Sequence, residues 1–311
     1  MANLYFDKGV AVINFYEFVL NSSVVAKKIY REDYHFTTNR GVVISHEVRI
    51  ELKRLLSSFN NQVGIEKTPY YRIDAFFDDE SLWILEINAS FVDGWGTALN
   101  LARAGGIRIS SELLTFPTFF ASKSWEYMPE LELFVDELAR LGLSGHHIHE
   151  LHGNGVDSTY VYGRVGSKDQ PNILPYDGLR LDNKLNLGLL SRGWDSVAVK
   201  IPRHYINRFD SWEEIPTDVV LKFCDKSSLE CKQTRQSVLF DKPSGKAPFI
   251  RRCYREEKLV AQNFVQPVKQ NGSSCQLVIL AIGEEPITGY VQYSRERIIN
   301  DNSVHGPLQF V

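Results

Sequence analysis

Residues 70–89 constrain the fold more than any other part of the chain. They read YYRIDAFF, then Asp78, Asp79, Glu80 and Ser81, then LWILEINA. Two strand-length runs around so short and polar a connection predict an antiparallel hairpin. Side chains alternate faces along a strand, so Arg72 and Asp74 share one face while Ile73 and Ala75 take the other. By the same alternation Glu86 and Asn88 share a face, opposite Leu85 and Ile87. A turn centred on Glu80 sets Asp74 beside Glu86 and Arg72 beside Asn88. Opposed carboxylates destabilise a sheet unless something neutralises them. Magnesium does so well, because it prefers hard oxygen ligands and sits on carboxylates together with substrate phosphates. Arg72 would then stabilise negative charge that develops nearby. A solvated sheet face with an Arg–Asp pair gives the same spacing, so the hairpin alone leaves both readings open.

Around the hairpin the chain divides by texture. With 311 residues it can form two or three subdomains. Residues 1–106 hold a helical pattern over 43–59, the hairpin, and a short helix in LNLARAGG closed by glycine. Residues 107–180 mix a helix over 129–141 with short strands such as YVYGRV, as a small α/β subdomain does. Residues 181–311 open with a helix over 184–191. Strand-like runs follow (VVLKFC, APFIRRCY, LVAQNFVQPV, CQLVILAIG and ITGYVQYS), mostly antiparallel candidates.

Several function classes fall away on composition. Lys and Arg total 35 against 38 Asp and Glu, and the basic residues are scattered, which gives no pull toward nucleic acid. No run approaches the roughly 18 apolar residues of a membrane helix. The opening MANLYFDKGVAVINFYEF has polar breaks and no cleavage site, so no signal peptide is expected. Cys224, Cys231, Cys253 and Cys275 lack the density and spacing of a disulfide framework, which fits a reduced cytoplasmic protein. Neither a Walker loop nor G-x-G-x-x-G is present.

Other polar groups need weighing. Lys222 sits inside the apolar run VVLKFC, where it requires an anionic partner or must snorkel to water. Lys184 follows Asn183 at a helix start. The segment DKSSLECKQTRQS could fold over phosphates but contains no glycine. His146, His147, His149 and His152 read as a polar strand-to-loop junction more readily than as a metal site. The aromatics of FPTFFASKSW pack a core or cover the cleft.

Together, R-x-D at Arg72–Asp74 and E-x-N at Glu86–Asn88 resemble the magnesium site of the ATP-grasp superfamily. The nearer likeness is to the synthetase domain of glutathionylspermidine synthases. In both, the carboxylate hairpin precedes the lysine-bearing half, here Asn183-Lys184, Lys222 and the hinge strand Gln262–Val265, a circular permutation of the usual order. The resemblance implies an α/β (α+β) fold of two mostly antiparallel sheets flanking a nucleotide cleft, plus a small pre-ATP-grasp-like subdomain. It implies that Asp74, Glu86 and Asn88 bind Mg2+, that Lys184 and Lys222 hold the phosphates of ATP, and that the backbone of Gln262, Asn263, Phe264 and Val265 faces adenine. Arg72 would steady the acyl phosphate. Tyr293, Arg295, Arg297 and Asn300 fall where further phosphate and metal contacts occur. Asn88 is followed by Ala-Ser-Phe-Val-Asp-Gly-Trp where the relatives have Asp-Thr-Pro-Thr, which implies a different acid or amine. The implied activity is an ADP-forming carboxylate–amine ligase acting on small-molecule or peptide substrates. A non-catalytic ATP-binding assembly factor, favoured by the glycine-free loop, and a kinase that stops at phosphoryl transfer are the alternatives.

Overall fold

The computed structural model describes residues 13–25, 37–65, 67–78, 80–149, 158–162, 173–174, 178–234, 238–243, 248–295 and 303–311. The α+β architecture rests on three sheets. The largest has nine strands, and the hairpin of Tyr70–Phe77 and Leu82–Asn88 lies within it. Tyr70–Phe77 pairs on its other side with the long strand Ser273–Ile282, which pairs in turn with Glu285–Ser294. Val304–Phe310 continues the sheet and runs parallel to Arg40–Ile44. The sheet therefore joins strands from both ends of the chain.

Alternation along the hairpin divides the interior. Tyr71, Ile73, Ala75 and Phe77 face one core, into which the helix His46–Val63 presses Leu52, Leu55, Leu56 and Phe59. That helix starts at Ser45, whose side chain accepts from the Val48 N–H, and it runs four residues past the periodicity seen in the sequence. Fully burying side chains of this size stabilises by about 1.5–3 kcal/mol each. On the opposite face Tyr70, Val278, Leu280 and Tyr290 pack against a second core that includes Trp95, Leu99, Phe120, Phe134 and Tyr160. The second core reaches only part of the way along the strand. Beyond Tyr70 the same face carries Arg72, Asp74 and Phe76, and there it fronts a cleft.

The second core is closed by the helices Trp95–Ala104 and Met128–Arg140 and by a four-stranded sheet, Phe119–Ser122 with His147–Ile148, Thr159–Tyr162 and Ile173–Leu174, paired in parallel throughout. His147 and His149 lie on or beside this sheet. The His146 ring bonds to the Pro117 carbonyl and the His149 ring to Thr159, while His152 lies outside the described residues. No group of three or more His, Cys, Asp or Glu among the described residues is placed to hold a metal.

The third sheet, of four strands, pairs His204–Tyr205, Leu259–Asn263, Val219–Phe223 and Val238–Phe240, all antiparallel. Behind it sits the helix Pro248–Arg255, a segment that sequence pattern assigns to a strand. Ile250, Cys253 and Tyr254 are buried and the arginines between them exposed, a spacing of three and four that belongs to a helix face. The four cysteines are free thiols, all buried. No helix among the described residues is long and apolar enough to cross a membrane.

One buried carboxyl holds two helices together. Gly94, at φ +91°, supplies no side-chain cap to the helix Trp95–Ala104. Glu130 does so from the facing helix, accepting from the Thr97 N–H at 3.1 Å. A Cβ on Gly96 would lie 2.6 Å from the Glu130 carbonyl oxygen, so glycine permits the approach. Burial, with the Asp93 carboxylate adding to it, pushes the Glu130 pKa up to about 7. The folded state thus holds this proton more tightly than the unfolded chain. Its contribution to stability is present below pH ~4.3 and is lost as pH rises through 7. Glu130→Gln keeps the acceptor and removes the titration. It is expected to gain roughly 2–3 kcal/mol on the wild type between pH 5 and pH 8. Urea unfolding at both pH values checks this, and equal changes in the two proteins would refute it.

Candidate functional site

A register shift in the hairpin builds the site. Arg72 pairs with Asn88 and Asp74 with Glu86, but the next pair is Ala75 with Ile84. Leu85 is the extra residue of a β-bulge, a device that re-aims side chains. Simple alternation places Leu85 on the face opposite Glu86. The bulge instead lets Leu82 and Ile84 point into the first core while Leu85 and Glu86 both line the cleft. It also frees the Leu85 carbonyl from the hairpin ladder. That oxygen accepts from Lys222 Nζ at 2.8 Å and from Gln262 Nε2 at 3.2 Å, and so ties the large sheet to the third.

His204 fixes the orientation of Gln262. Its Nδ1 lies 2.8 Å from the Pro202 carbonyl and its Nε2 lies 3.1 Å from Gln262 Nε2. The ring therefore donates through Nδ1 and accepts through Nε2, which requires the neutral form. Burial, with repulsion from Lys222, lowers the His204 pKa to about 3, consistent with that tautomer.

Glu86 is the electrostatic centre. Its Oε1 accepts from Lys184 Nζ at 2.7 Å and also from Lys226 Nζ. The same two ammonium groups reach Asn88 Oδ1 at 3.3 and 3.2 Å. Burial alone would raise the Glu86 pKa. The attraction of Lys184, Lys226 and Lys222 overcomes it and holds the carboxyl well below its usual range. Asn88 Nδ2 donates to Asp74 Oδ2 at 3.1 Å, and Arg72 bridges Asp74 at 3.3 Å and Asp93 at 2.7 Å. Asp93 belongs to the Ala89–Trp95 segment that follows the hairpin.

Lys184 is positioned by its neighbours in sequence. Asn183 caps the helix Lys184–Leu190 by accepting from the Leu185 N–H at 3.0 Å, and Lys184 N donates to the Cys224 carbonyl at 3.1 Å. The Asp182 carboxylate accepts from the backbone of Ala89 and Ser90 and from the Ser90 hydroxyl. A Cβ on Gly178 would lie 2.4 Å from the Ala89 carbonyl oxygen, so the chain there passes directly over the end of the hairpin. Lys184 is therefore buried, although a lysine at a helix start is ordinarily solvated.

The cleft has a volume of about 600 Å³. Asp74, Phe76 and Glu86 line it from the large sheet, and Val220, Lys222 and Phe240 from the third. The crossover Gln262–Val265 closes one side, where Phe240 and Phe264 meet edge to face at 6.3 Å. Arg295 lines the rim and is exposed. Tyr293 packs against the first core instead, and Arg297 and Asn300 lie outside the described residues. Thus Arg72, Asp74, Asn88, Lys184 and Glu86 form one bonded network, Lys222 and Gln262 meet it at the Leu85 carbonyl beside Glu86, and Asn263, Phe264 and Val265 lie along the adjoining wall. Sequence reasoning missed Lys226, Leu85 and Asp182. Lys226 gave no signal, being one lysine in a polar segment. The bulge did leave one: Leu82, Ile84, Glu86 and Asn88 cannot all share a face if the first two are core.

No protein-family profile and no curated protein matches the chain. Among solved structures it is similar to the crystal structure of a protein provisionally named gamma-glutamylcysteine synthetase, from Methylobacillus flagellatus KT. The identity is 9% over 96% of this chain and 88% of the other, at a TM-score of 0.44. A likeness at that level leaves the activity to be argued from the site.

Burial brings the Lys222 pKa down to about 8, against the attraction of Glu86 and with repulsion from Lys184 and Lys226. The charged side chain therefore costs stability below pH 8, and the cost fades as pH rises toward ~10.4, the value of an unperturbed lysine. Lys222→Met, similar in length and uncharged, is expected to raise unliganded stability at pH 7 by about 1–3 kcal/mol. The gain should narrow by pH 9.5. Urea titrations at the two pH values measure it, and a less stable variant at pH 7 would count against a functional, destabilising lysine.

Proposed function

We propose that the chain binds ATP with magnesium in the cleft and uses it to join a carboxylic acid to an amine. One observation carries this reading. Lys184, Lys222 and Lys226 surround the Glu86 carboxylate, which lines a cleft between two sheets together with Lys222. Lys184 and Lys222 are buried at a cost, and with the half-buried Lys226 they set three ammonium groups around one carboxylate, an arrangement suited to a polyphosphate. The apolar wall of Val220, Phe240 and Phe264 suits a flat base, and it adjoins the backbone of Gln262–Val265. The order of hairpin, Lys184, Lys222 and crossover agrees with a permuted ATP-grasp chain.

The donor set fits magnesium of one kind. Asp74, Glu86 and Asn88 offer hard oxygens, too few for an all-protein cage but of the kind that an ion shared with phosphate groups takes. When bound, the ion would neutralise phosphate charge. The residues of the chain would do the rest by positioning. Lys184 and Lys222 hold the phosphates, while Asp74 and Asp93 hold the Arg72 guanidinium where charge develops on the transferred group. A carboxylate oxygen of the acid attacks the γ-phosphorus, and the bond to the β-phosphate oxygen breaks, giving acyl phosphate and ADP. The amine nitrogen then attacks the acyl carbon, expelling phosphate and losing a proton.

A second reading is a nucleotide-binding factor without turnover. It is favoured by the segment from Asp225 to Thr234, which has no glycine and folds into the helix Leu229–Thr234. The two separate by experiment. MgATP at a hundred times its dissociation constant stabilises by about 2.7 kcal/mol, a shift of a few degrees in Tm. Wild type should show the shift and release ADP with the correct acid and amine, and Glu86→Ala should lose both. A shift without ADP release under any acid and amine supports the binding factor, and ADP release without a new amide identifies a kinase. No shift at millimolar MgATP removes all three readings.

A further inference from the structure

We propose that Lys226 is a resident cation that holds Glu86 and Asn88 while the cleft carries no nucleotide, and that a divalent metal bound to those oxygens displaces it. The proposal rests on the magnesium assignment above. It concerns a residue that neither the hairpin pattern nor the resemblance singles out.

Lys226 Nζ contacts Glu86 Oε1 and lies 3.2 Å from Asn88 Oδ1. It thus bridges two oxygen donors from residues sharing one face of a strand, as a chelated ion would. Lys184 bridges the same two atoms at 2.7 and 3.3 Å. The two ammonium groups are not equivalent. The Lys184 side chain is 6% exposed and stands on a helix start fixed by Asn183 and by the Cys224 carbonyl. The Lys226 side chain is 20% exposed and stands on the turn that follows the Val219–Phe223 strand. Bonds within that turn are local, Ser227 donating to Asp225 Oδ1 through both its N–H (2.7 Å) and its hydroxyl (2.6 Å). Lys184 is therefore the more firmly held of the two, and Lys226, the more exposed, is the cation that a metal can displace from Glu86 and Asn88.

Removal of Lys226 without a replacement leaves Glu86 with its remaining lysines, so the pocket stays charge-compensated. A metal arriving with a polyphosphate brings its own positive charge to the oxygens and negative charge beside it. The released ammonium then has phosphate oxygens to meet at the same place. Lys226 thereby keeps the carboxylate ordered between turnovers and makes metal binding depend on the polyphosphate that accompanies it. Metal alone must compete with an ammonium and gains no anion for it.

Manganese is the probe, titrated alone into the full chain while the signal of free Mn2+ is followed by electron paramagnetic resonance. Lys226→Met is expected to bind Mn2+ roughly tenfold tighter than wild type. Lys226→Arg, which keeps the charge, should stay at the wild-type level. The double variant Lys226→Met, Glu86→Ala should lose the gain, which locates it at Glu86. Thermal melts of each variant without ligand confirm that the comparison is between folded proteins, and Lys226→Gln serves as a second neutral variant. Equal Mn2+ affinity in wild type and both neutral variants, or a gain that persists without Glu86, would overturn the proposal. A MgATP shift in wild type with no gain on removing Lys226 defeats this inference alone. A Mn2+ gain with no MgATP shift defeats the nucleotide reading and leaves the competition in place.

Discussion

The carbonyl of Leu85 is the point on which the site depends. A backbone oxygen inside a sheet is normally consumed by the ladder, and burying it without a partner costs free energy. The bulge removes Leu85 from the ladder, and Lys222 and Gln262 of another sheet supply the donors. The requirement to satisfy one oxygen thus sets the spacing of two sheets, and the cleft is what lies beyond that contact. His204 belongs to the same arrangement, since only its neutral tautomer leaves Gln262 free to donate toward Leu85.

Charge then completes what the backbone begins. Glu86 would be unfavourable so far from water without lysines, and the lysines would be unfavourable without Glu86. Each is carried in by a different element: the hairpin, the helix at Lys184, the strand at Lys222 and the turn at Lys226. Those elements are otherwise held by their own cores, so the stabilising interactions lie in the apolar layers and the strained electrostatics in the cleft. That division is characteristic of functional sites, where local cost is tolerated for chemistry.

The sequence made the hairpin legible because both of its determinants are local. Short-range alternation and a polar turn placed Arg72 opposite Asn88 and Asp74 opposite Glu86, as observed. Lys222 was legible for a similar reason, as a charge in an apolar run. What escaped was set at long range. The parallel pairing of Val304–Phe310 with Arg40–Ile44 brings together segments that no local pattern connects. Glu130 is one acid in an amphipathic helix until Gly96 brings another helix against it. The Pro248–Arg255 helix was obscured by its aromatic and β-branched residues, which favour strands when counted without regard to period. Lys226 looked like solvated polar chain because its partners lie 138 and 140 residues away.

The third sheet begins and ends at strands that pair with each other. The chain departs after Val199–Lys200, forms His204–Tyr205, and returns through Leu259–Asn263, and those two strands are paired with each other, His204 opposite Gln262. Residues 204–263 are thus an excursion whose ends meet, like a domain inserted into a host. Such a segment can be exchanged or lost as a block, because closing the gap does not require the host strands to be re-threaded. Glu86 and Lys184 consequently belong to the host, while Lys222 and Lys226 arrive with the excursion. A lineage could keep the acidic hairpin, its core and Lys184 while replacing the block that carries Lys222 and Lys226, and the Leu85 carbonyl would be the first group to register the change.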